Sequence, residues 1–402
     1  MNIKQKYDKA MTNIILADTG KHDKMKPLSW TRPVAELRTG ILTTKERWDI
    51  LFGQKCSCLT EKFLQEKYPV NTSNKNLVIN AGILPDENLV QAIKNLNSGA
   101  LAKNGEILAR VCSDNEVEGF AHLTGSEEEY SGDVLIASYP WDIFTHVGDM
   151  IQFDFELLTA GRKSRPLPET NIQIGNNPLF IEEGAVVEAS VINTTAGPVY
   201  IGNNAEIMES CSVRGPFAMN EHAVLKMGTK VYGPTSLGPW VKTGGELNNV
   251  VFQSYSNKAH DGFLGNAVIG EWCNIGADTN NSNLKNNYAE VKMWDYEAGH
   301  FIKTGLQFCG MIMGDHSKCG INTMFNTGTV IGVSCNLFGQ GFPRNFVPSF
   351  SWGGAGGYTE YKMNKALQVA EIVMNRRNIQ LTDTDKRILE YVYTQTRNYS
   401  KH

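Results

Sequence analysis

The sequence predicts three successive parts: an α/β domain with a Rossmann-like sheet, a β-helix of hexapeptide repeats, and a C-terminal helical segment. Three observations along the 402 residues support this order. Apolar runs alternate with helix-like segments in the first half, apolar residues recur every six positions in the second half, and helical spacing returns near the end. We therefore expect domains at 1–165, 170–350 and 351–402.

The first half reads as strands alternating with helices, which is typical of a parallel α/β sheet. The expected strands are NIILA (13–17), CSCLT (56–60), LVINA (77–81) and DVLIASY (133–139). Helices are expected in EKFLQEKY after the second strand and in DENLVQAIKNL after the third, where Asp86 suits the N-cap position. The first strand is expected to start close to Met11, which leaves residues 1–10 as an extension.

A long loop, ADTGKHDKMKPLSWTRPVAELRTG, follows the first strand. In α/β sheets, a loop at the carboxyl end of a strand is the usual place for a nucleotide or phosphate. Lys26, Arg32 and Arg38 lie in this loop, and such cations can hold phosphates. The same residues also fit a solvated loop with scattered cations, and the sequence leaves both readings open.

The second half carries a strict period of six. The apolar series is Ile201, Ile207, Val213, Met219, Leu225, Val231 and Leu237, continued in phase by Ile269 and Ile275 and then by Met313, Cys319, Phe325, Ile331 and Leu337. Four positions after each member comes a mostly small residue, such as Ala205 or Cys211. This period is typical of a hexapeptide β-helix, in which the large residue fills the interior. Glycine after the large residue, as at Gly202 and Gly238, is expected to permit the turn.

The period breaks between Thr243 and Leu264, and again between Asn280 and Gly310. Breaks in a solenoid are expected to project as loops from one face, often the binding face. The first break contains a histidine and the second begins with an asparagine-rich stretch, a combination that suits a sugar. Beyond the repeats, residues 358–378 have helical spacing, and a second helix is expected to start near Thr382–Asp383.

Composition excludes several classes of function. The net charge is −4 and no Lys/Arg block stands out, so nothing favours a nucleic-acid partner. The sequence has neither an apolar run of about 18 residues nor a signal-peptide-like start, so we expect no membrane segment and a cytoplasmic location. Cysteines in the repeat are expected to pack as reduced thiols, and Cys56 and Cys58 favour a buried strand over a metal site.

The segment Asn257–Tyr288, NKAHDGFLGNAVIGEWCNIGADTNNSNLKNNY, resembles the acyltransferase half of the GlmU-like family. These are bifunctional N-acetylglucosamine-1-phosphate uridyltransferase/glucosamine-1-phosphate acetyltransferases. In the first half, MKPLSWTRPVAELRTGILT and LVINAGILPDENLV resemble the divergent sugar nucleotidyltransferase domain of Bacteroidetes-type relatives. The resemblance implies a left-handed β-helix, a homotrimer with active sites between subunits, and acetyl-CoA as the co-substrate of a sugar phosphate.

The resemblance also implies site residues. His260 matches the histidine that deprotonates the 2-amine of glucosamine 1-phosphate as this amine attacks acetyl-CoA, and histidine titrates near neutral pH. Asp261 or a backbone carbonyl is expected to orient the ring. The implied substrate-binding residues are Lys226, Lys242, Asn274, Asn283 and Lys285. The segment departs from the family at Phe263, where the family has a tyrosine, and at Gly244, where it has a lysine.

The first half departs further from the family. The loop G-x-G-T-R-M followed by P-K is absent, and Gly82 stands where the family has a metal-binding aspartate. Nucleotidyl transfer needs Mg²⁺ beside the phosphates. We therefore expect weak or no Mg²⁺-dependent transfer from UTP or dTTP, unless Asp18 supplies the missing ligand.

The leading hypothesis is a transferase that acylates an amino-sugar 1-phosphate in UDP-N-acetylglucosamine biosynthesis. The alternative is a sugar-1-phosphate nucleotidyltransferase, uridylyl- or thymidylyl-, whose β-helix only trimerises it. A β-helix hydratase would need three histidines from adjacent coils, two of them close in sequence. His222, His260, His300 and His316 are spaced too widely for this, so no metal ligand is predicted. A purely structural coil is the remaining reading.

Overall fold

The computed structural model describes residues 12–397 and Tyr399. The predicted extension, residues 1–10, and a strand start near Met11 lie outside the described residues. In the amino-terminal part the strands are Asn13–Ala17 (β1), Ser57–Leu59 (β2), Asn76–Asn80 (β3), Ile83–Leu84 (β4), Ala100–Lys103 (β5), Glu106–Cys112 (β6), Glu127–Glu129 (β7) and Leu135–Ile136 (β8). Its α-helices are Thr44–Phe52 (α1), Glu87–Asn95 (α2), Pro140–Thr145 (α3) and Val147–Thr159 (α4).

The amino-terminal sheet is mixed, with strand order β2-β1-β3-β6-β5-β7. β1 pairs in parallel with β2 and β3, whereas β6 runs antiparallel to both β3 and β5. The prediction of a parallel sheet is therefore wrong at β6, although β5 and β7 again pair in parallel. The reason is a hairpin between β5 and β6, whose turn residues Asn104 and Gly105 both have positive φ. An Asn-Gly pair is a readable signal for this kind of turn.

Local predictions in this part had mixed outcomes. α2 begins as predicted, because Asp86 accepts a hydrogen bond from the Leu89 amide at 2.8 Å. Residues 61–68 form successive turns instead of a helix, and Pro69 follows them directly. The strand expected at 133–139 shrinks to β8, which pairs with β4 outside the main sheet. α1 was not predicted, although Thr43 and Glu46 form a capping box at its start.

The second half is a parallel β-helix, as predicted. Its strands up to the large insertion are Ile172–Ile174 (β9), Leu179–Ile181 (β10), Val186–Val187 (β11), Val191–Asn193 (β12), Val199–Ile201 (β13), Glu206–Ile207 (β14), Ser212–Arg214 (β15), Phe217–Met219 (β16), Val224–Leu225 (β17), Lys230–Val231 (β18), Thr235–Leu237 (β19), Lys242–Thr243 (β20), Glu246–Phe252 (β21), Asn257–Lys258 (β22), Phe263–Ile269 (β23), Asn274–Ile275 (β24) and Asn280–Asn281 (β25). Those of the insertion and beyond are Lys292–Asp295 (β26), His300–Lys303 (β27), Met311–Met313 (β28), Lys318–Cys319 (β29), Met324–Phe325 (β30), Thr329–Ile331 (β31), Asn336–Leu337 (β32), Phe346–Val347 (β33), Ser351–Gly354 (β34) and Gly357–Glu360 (β35).

These strands form three faces of the β-helix. The first face is the parallel path β10-β13-β16-β19-β21-β23-β28-β31-β33. The second face is β11-β14-β17-β20-β22-β24-β29-β32-β34. The third face contains β9, β12, β15, β18 and the first residues of β21 and β23, with β25 and β30 continuing it. Every member of the predicted six-residue series is buried in the interior, which confirms the repeat.

The glycines after the large residues have a different role from the one predicted. At Gly202 and Gly238 the backbone φ is not positive, but an added Cβ would lie 2.7 Å from the Asn220 carbonyl carbon and against the Gln253 carbonyl oxygen. These glycines therefore permit close approach of the next coil. The left-handed turn residue comes two positions later and is not glycine: Asn204, Trp240, Trp272, Asp278, His316 and Ser334.

The two breaks in the period differ. Across the first break, Leu225 still pairs with Thr243 and Thr243 with Lys258, because the coil is shortened. In this coil β21 runs from the third face to the first as one strand, so the predicted projecting loop is absent there. The second break is a true insertion that contains the antiparallel hairpin β26–β27.

The amino-terminal domain and the C-terminal helices cover the first face. Outward residues of this face, including Phe180, Tyr200 and Val268, belong to the same buried apolar cluster as Trp141 and Val392. The C-terminal helices are Met363–Asn375 (α5) and Asp383–Thr396 (α6), and Thr382 caps α6 as predicted. Residues 357–360 form β35 and not the start of a helix. The structure leaves the second and third faces to solvent over most of their length, since many of their outward side chains are exposed.

Cysteine placement agrees with the reduced-thiol prediction. All eight cysteines are free and buried, and Cys58 lies in β2. Within residues 12–397 and Tyr399, no helix combines the length and hydropathy that a membrane crossing would require.

Candidate functional site

The candidate site lies on the second face of the β-helix, where four outward positions stack across neighbouring coils. Val224 pairs with Lys242, Lys242 with Asn257, and Asn257 with Asn274. Parallel strands lie about 4.8 Å apart, so these side chains form a continuous row. Asn257 is partly buried, and its Oδ1 has no hydrogen-bond partner among the described residues. A buried amide oxygen without a partner is unusual, so Asn257 is a candidate for a ligand contact once its amide turns toward the groove.

A second row, two residues further along each strand, is small. It starts at Lys226 and continues with Gly244, Ala259 and Gly276. A Cβ at Gly244 would lie 2.6 Å from the Ala259 carbonyl oxygen, so the close packing of coils requires glycine there. Beyond Lys226, the row therefore forms a low floor beside the polar row. We call the two rows together the groove.

Cations converge at the Lys226 end of the groove. Lys242 has a pKa below its ordinary value because it is partly buried and because Arg377, Lys226 and Arg376 are nearby. Among the described residues none of these four cations forms an ion pair within 4.0 Å. The guanidinium of Arg377 lies 5.6 Å from the Trp240 ring centre, which fixes the end of α5 against the coil. The Glu206 carboxylate is also nearby and offsets part of this positive charge. Four cations against one carboxylate still favour an anionic ligand.

His260 lies at the corner where the chain passes from the second face to the third. It follows Ala259 of the groove floor directly, and its side chain is exposed. No described side chain or carbonyl hydrogen-bonds its imidazole, so the expected orienting contact from Asp261 is not formed. An exposed, unpaired imidazole beside the groove can accept a proton from a bound nucleophile.

The remaining predicted substrate residues divide between two places. Asn274 lies in the polar row of the groove and is exposed. Asn283 donates to Asn266 Oδ1 at 2.8 Å, and the Lys285 ammonium donates to the Glu290 carbonyl at 2.9 Å. Both lie past the far end of β25, across the third face from His260. Within one chain, the structure does not bring Asn283 and Lys285 to the groove.

The three cations predicted to contact phosphate lie apart. Lys26 pairs with Asp23 at 2.6 Å and stacks over Trp30. Arg32 is buried in ion pairs with Asp315 and, at 2.9 Å, with Glu271 of the β-helix.

Arg38 is also buried, and it contacts the Ile41 carbonyl and Glu46. Its amide donates to Gln253 Oε1 at 2.8 Å. The loop is thus used to dock the amino-terminal domain on the coil, and the phosphate role of its cations stays a prediction that these pairings do not favour.

Asp18 hydrogen-bonds to the loop that follows β1. Its two carboxylate oxygens accept hydrogen bonds from the Val34 amide at 2.9 Å and the Thr60 hydroxyl at 2.6 Å. Burial raises the pKa of Asp18 to about 6. At Gly82, an added Cβ would lie 2.8 Å from the Ala137 carbonyl oxygen, so this strand end is closely packed. Within the described residues no group of three or more His, Cys, Asp or Glu side chains is arranged to hold a metal ion.

The four histidines considered for a metal site are dispersed. His222 stacks on Trp240 with ring centres 4.1 Å apart, and His316 lies near Trp272. His260 is at the opposite corner of the coil, and His300 is in the inserted hairpin. Their arrangement offers no support for a hydratase.

Sequence reasoning missed three residues of the groove. Asn257 lies inside the recognised motif, but its unpaired oxygen becomes evident only from the coil pairing. Arg376 and Arg377 were treated as part of a helix, and their approach to Lys242 depends on how α5 packs. The readable signal was a pair of arginines at a helix end, which also suits the helix dipole.

Comparison with known proteins adds a family match for the first half. Residues 14–163 match the family model described as sugar nucleotidyl transferase. The chain is 28% identical over 160 residues to a bifunctional sugar-1-phosphate nucleotidylyltransferase/acetyltransferase of Sulfurisphaera tokodaii, covering 35% of this chain and 39% of the relative. It is 29% identical over 100 residues to the bifunctional protein GlmU of Methanocaldococcus jannaschii, covering 24% of this chain and 23% of that protein.

A solved structure, the polySia specific acetyltransferase NeuO, aligns with 48% of this chain and 87% of its own length. Its sequence identity is 11% and its TM-score is 0.25, which is too low to support an argument. The chain spans about two fifths and about a quarter of the two relatives above. The family match and both relatives agree with the prediction of a transferase, and the match to the sugar nucleotidyl transferase family is confined to residues 14–163.

Proposed function

We propose that the β-helix transfers an acyl group from acyl-CoA to the amine of an amino-sugar 1-phosphate, with glucosamine 1-phosphate and acetyl-CoA as the first candidates. The observation that carries this proposal is the exposed, unpaired imidazole of His260 at the edge of a groove whose other end holds four cations against one nearby carboxylate, Glu206. A base and an anion site on one surface suit a substrate that has both an amine and a phosphate. The product would serve nucleotide-sugar (UDP-N-acetylglucosamine) biosynthesis.

In the proposed reaction the sugar phosphate binds at Lys226, Lys242, Arg376 and Arg377. Asn257 and Asn274 are positioned to contact the ring hydroxyls in the polar row. His260 takes the proton from the 2-amine as its nitrogen attacks the thioester carbonyl, and the tetrahedral intermediate collapses with loss of the CoA thiolate. His260 then returns the proton to the thiolate, so the base is regenerated.

The expected result is release of CoA that depends on both an amino-sugar 1-phosphate and acetyl-CoA. Purified protein would be assayed for free thiol, with N-acetylglucosamine 1-phosphate in place of the amine as a matched control that lacks the nucleophile. Equal thiol release with both sugars would mean simple thioester hydrolysis and would reject the proposal.

A second candidate function follows from the family match of the first half: nucleotidyl transfer to a sugar 1-phosphate with a β-helix that only assembles the protein. In the same assay, pyrophosphate release from UTP or dTTP with Mg²⁺ would report it. We expect this release to be weak or absent, because Asp18 is already used by Val34 and Thr60. Robust release that Asp18→Asn abolishes would instead make Asp18 the metal ligand.

We also propose that the protein works as a homotrimer. His260 and the pair Asn283 and Lys285 lie on opposite edges of the third face, so a site that uses all three residues needs a second chain. The third face also exposes large apolar side chains, including Tyr232 at 50% and Ile174 at 46%.

Sedimentation equilibrium is expected to give about three times the chain mass of 44.6 kDa. Tyr232→Glu, which places a charge on the third face, should shift the protein toward monomer, whereas Phe301→Glu on the inserted hairpin should not. A stable monomer at assay concentration would contradict the shared site.

A further inference from the structure

Lys258 occupies an interior position of the β-helix. Leu225 pairs with Thr243, and Thr243 with Lys258. Asn257 pairs with Asn274, which places Lys258 next to Ile275. The interior column of the second face runs Val187, Ile207, Leu225, Thr243, Lys258, Ile275, Cys319 and Leu337. A lysine therefore fills a place where neighbouring coils use apolar or small residues.

The buried ammonium is satisfied by two backbone carbonyls. Lys258 is 1% exposed, and its Nζ donates to the Gly244 carbonyl at 3.0 Å and to the His260 carbonyl at 2.8 Å. Burial of a charge is unfavourable unless it is paired or hydrogen-bonded. Leucine would fill the same volume without this cost, as Leu225 does two coils away. The hydrogen bonds, and not the filling of space, therefore distinguish the lysine.

Both carbonyls belong to the corner between the second and third faces. Gly244 precedes Gly245, which has φ +76°, and His260 lies two residues before Gly262, which has φ +115°. Glycine corners have little intrinsic rigidity because glycine has many accessible conformations. The ammonium of Lys258 joins the two successive corners from inside the coil. One of these corners carries the exposed imidazole at the edge of the groove.

We propose that Lys258 is a positioning residue: its interior ammonium fixes the backbone of His260 and thereby holds the imidazole where it meets the bound amine. The inference rests on the proposed function, because it takes His260 as the base. Lys258 does not touch the substrate, since it lies behind the wall of the coil.

The charge of Lys258 gives this role a pH signature. Burial lowers the pKa of the Lys258 ammonium to about 8. The charged groups that face it are Asp261 and Asp278, and the Cys319 thiol is kept neutral because burial raises its pKa. As the pH rises through about 8, the ammonium loses its proton and becomes a weaker donor. The hydrogen bond from Lys258 to the His260 carbonyl should therefore weaken above about pH 8.

Lys258→Met tests the inference, because methionine keeps nearly the same length and removes the donor. We expect kcat for CoA release to fall about 10- to 100-fold, as for a displaced catalytic group. The KM values for sugar and acyl-CoA should stay within about twofold, and the fall of kcat above about pH 8 should disappear. Leu337→Met, a conservative change in the same interior column, is the matched control and should leave kcat and its pH profile unchanged.

A measurement without catalysis separates this inference from the proposed function. Amide hydrogen exchange at residues 259–262 should quicken in Lys258→Met and not in Leu337→Met. If Lys258→Met keeps both the wild-type kcat and the wild-type exchange rate, Lys258 has no positioning role. The same conclusion holds if only the melting temperature of Lys258→Met falls. If the wild-type protein releases no CoA, the proposed function fails, and unchanged exchange would then overturn the anchoring as well.

Discussion

His260→Ala is expected to reduce CoA release by about 10²–10⁴-fold, which is the usual contribution of a positioned general base. The side chain is exposed and hydrogen-bonds no described residue, so its removal leaves neither a cavity nor an orphaned polar group. The melting temperature should therefore remain close to the wild-type value. Steady-state thiol release, together with thermal unfolding of the same preparation, measures both quantities.

The control for this variant is His300→Ala. His300 is also exposed, but it lies in the inserted hairpin, and among the described residues its ring hydrogen-bonds only with the Ala298 carbonyl. This variant should keep wild-type turnover. Free imidazole in the assay should restore part of the activity of His260→Ala, since it can enter the space left by the side chain. Near-wild-type turnover of His260→Ala without imidazole would remove His260 as the base.

The β-helix was predictable because its chemistry repeats. One large apolar residue must fill the interior in every sixth position, and Ile201, Met219 and Leu337 are all fully buried. The corner geometry was harder to foresee. Several residues with positive φ, such as Trp240 and Trp272, are of a type for which a left-handed backbone is uncommon, so sequence preference pointed to the nearby glycines instead. The hairpin at Asn104–Gly105 did carry a readable signal.

The candidate site was only partly predictable. Lys226 and Lys242 lie on the groove and His260 lies at its edge, and their roles in substrate binding and catalysis stay predictions. Lys258 is a different case, because its burial follows from a shortened coil that brings it into register with Thr243. The phosphate role of Arg32 was inferred from a loop, but its ion pairs with Asp315 and Glu271 depend on how two domains pack. No local pattern encodes such long-range pairings.

The second large effect is expected in the amino-terminal domain, where Arg47 and Asp154 form a fully buried ion pair. The guanidinium Nε lies 2.6 Å from Asp154 Oδ1, and Nη2 lies 2.9 Å from Oδ2. Both side chains are 0% exposed. Asp154 also accepts the Leu42 amide at 3.0 Å, and a Cβ at Gly40 would collide with its carboxylate. The pair therefore fixes the segment 39–43 to α4.

Asp154→Ala should lower the free energy of unfolding by about 3–5 kcal/mol, because it leaves the Arg47 charge buried without a counter-charge. Asp149→Ala, an exposed position of the same helix, should change it by less than about 0.5 kcal/mol. The double variant Arg47→Met/Asp154→Leu should recover most of the loss, since it removes both charges and keeps the volume. Urea unfolding followed by tryptophan fluorescence measures all three variants.

Asp154→Ala should also weaken the docking of the amino-terminal domain on the β-helix. The Gly40 and Ile41 carbonyls accept hydrogen bonds from Ser236 at 2.5 Å and Asn220 at 3.1 Å, both on the first face of the β-helix. Loosening segment 39–43 should therefore expose this face, while the groove on the second face keeps its own hydrogen bonds. We expect limited proteolysis of Asp154→Ala to cut the amino-terminal domain first and CoA release to persist. Cleavage within the β-helix at the same rate would instead show that the two parts unfold as one unit.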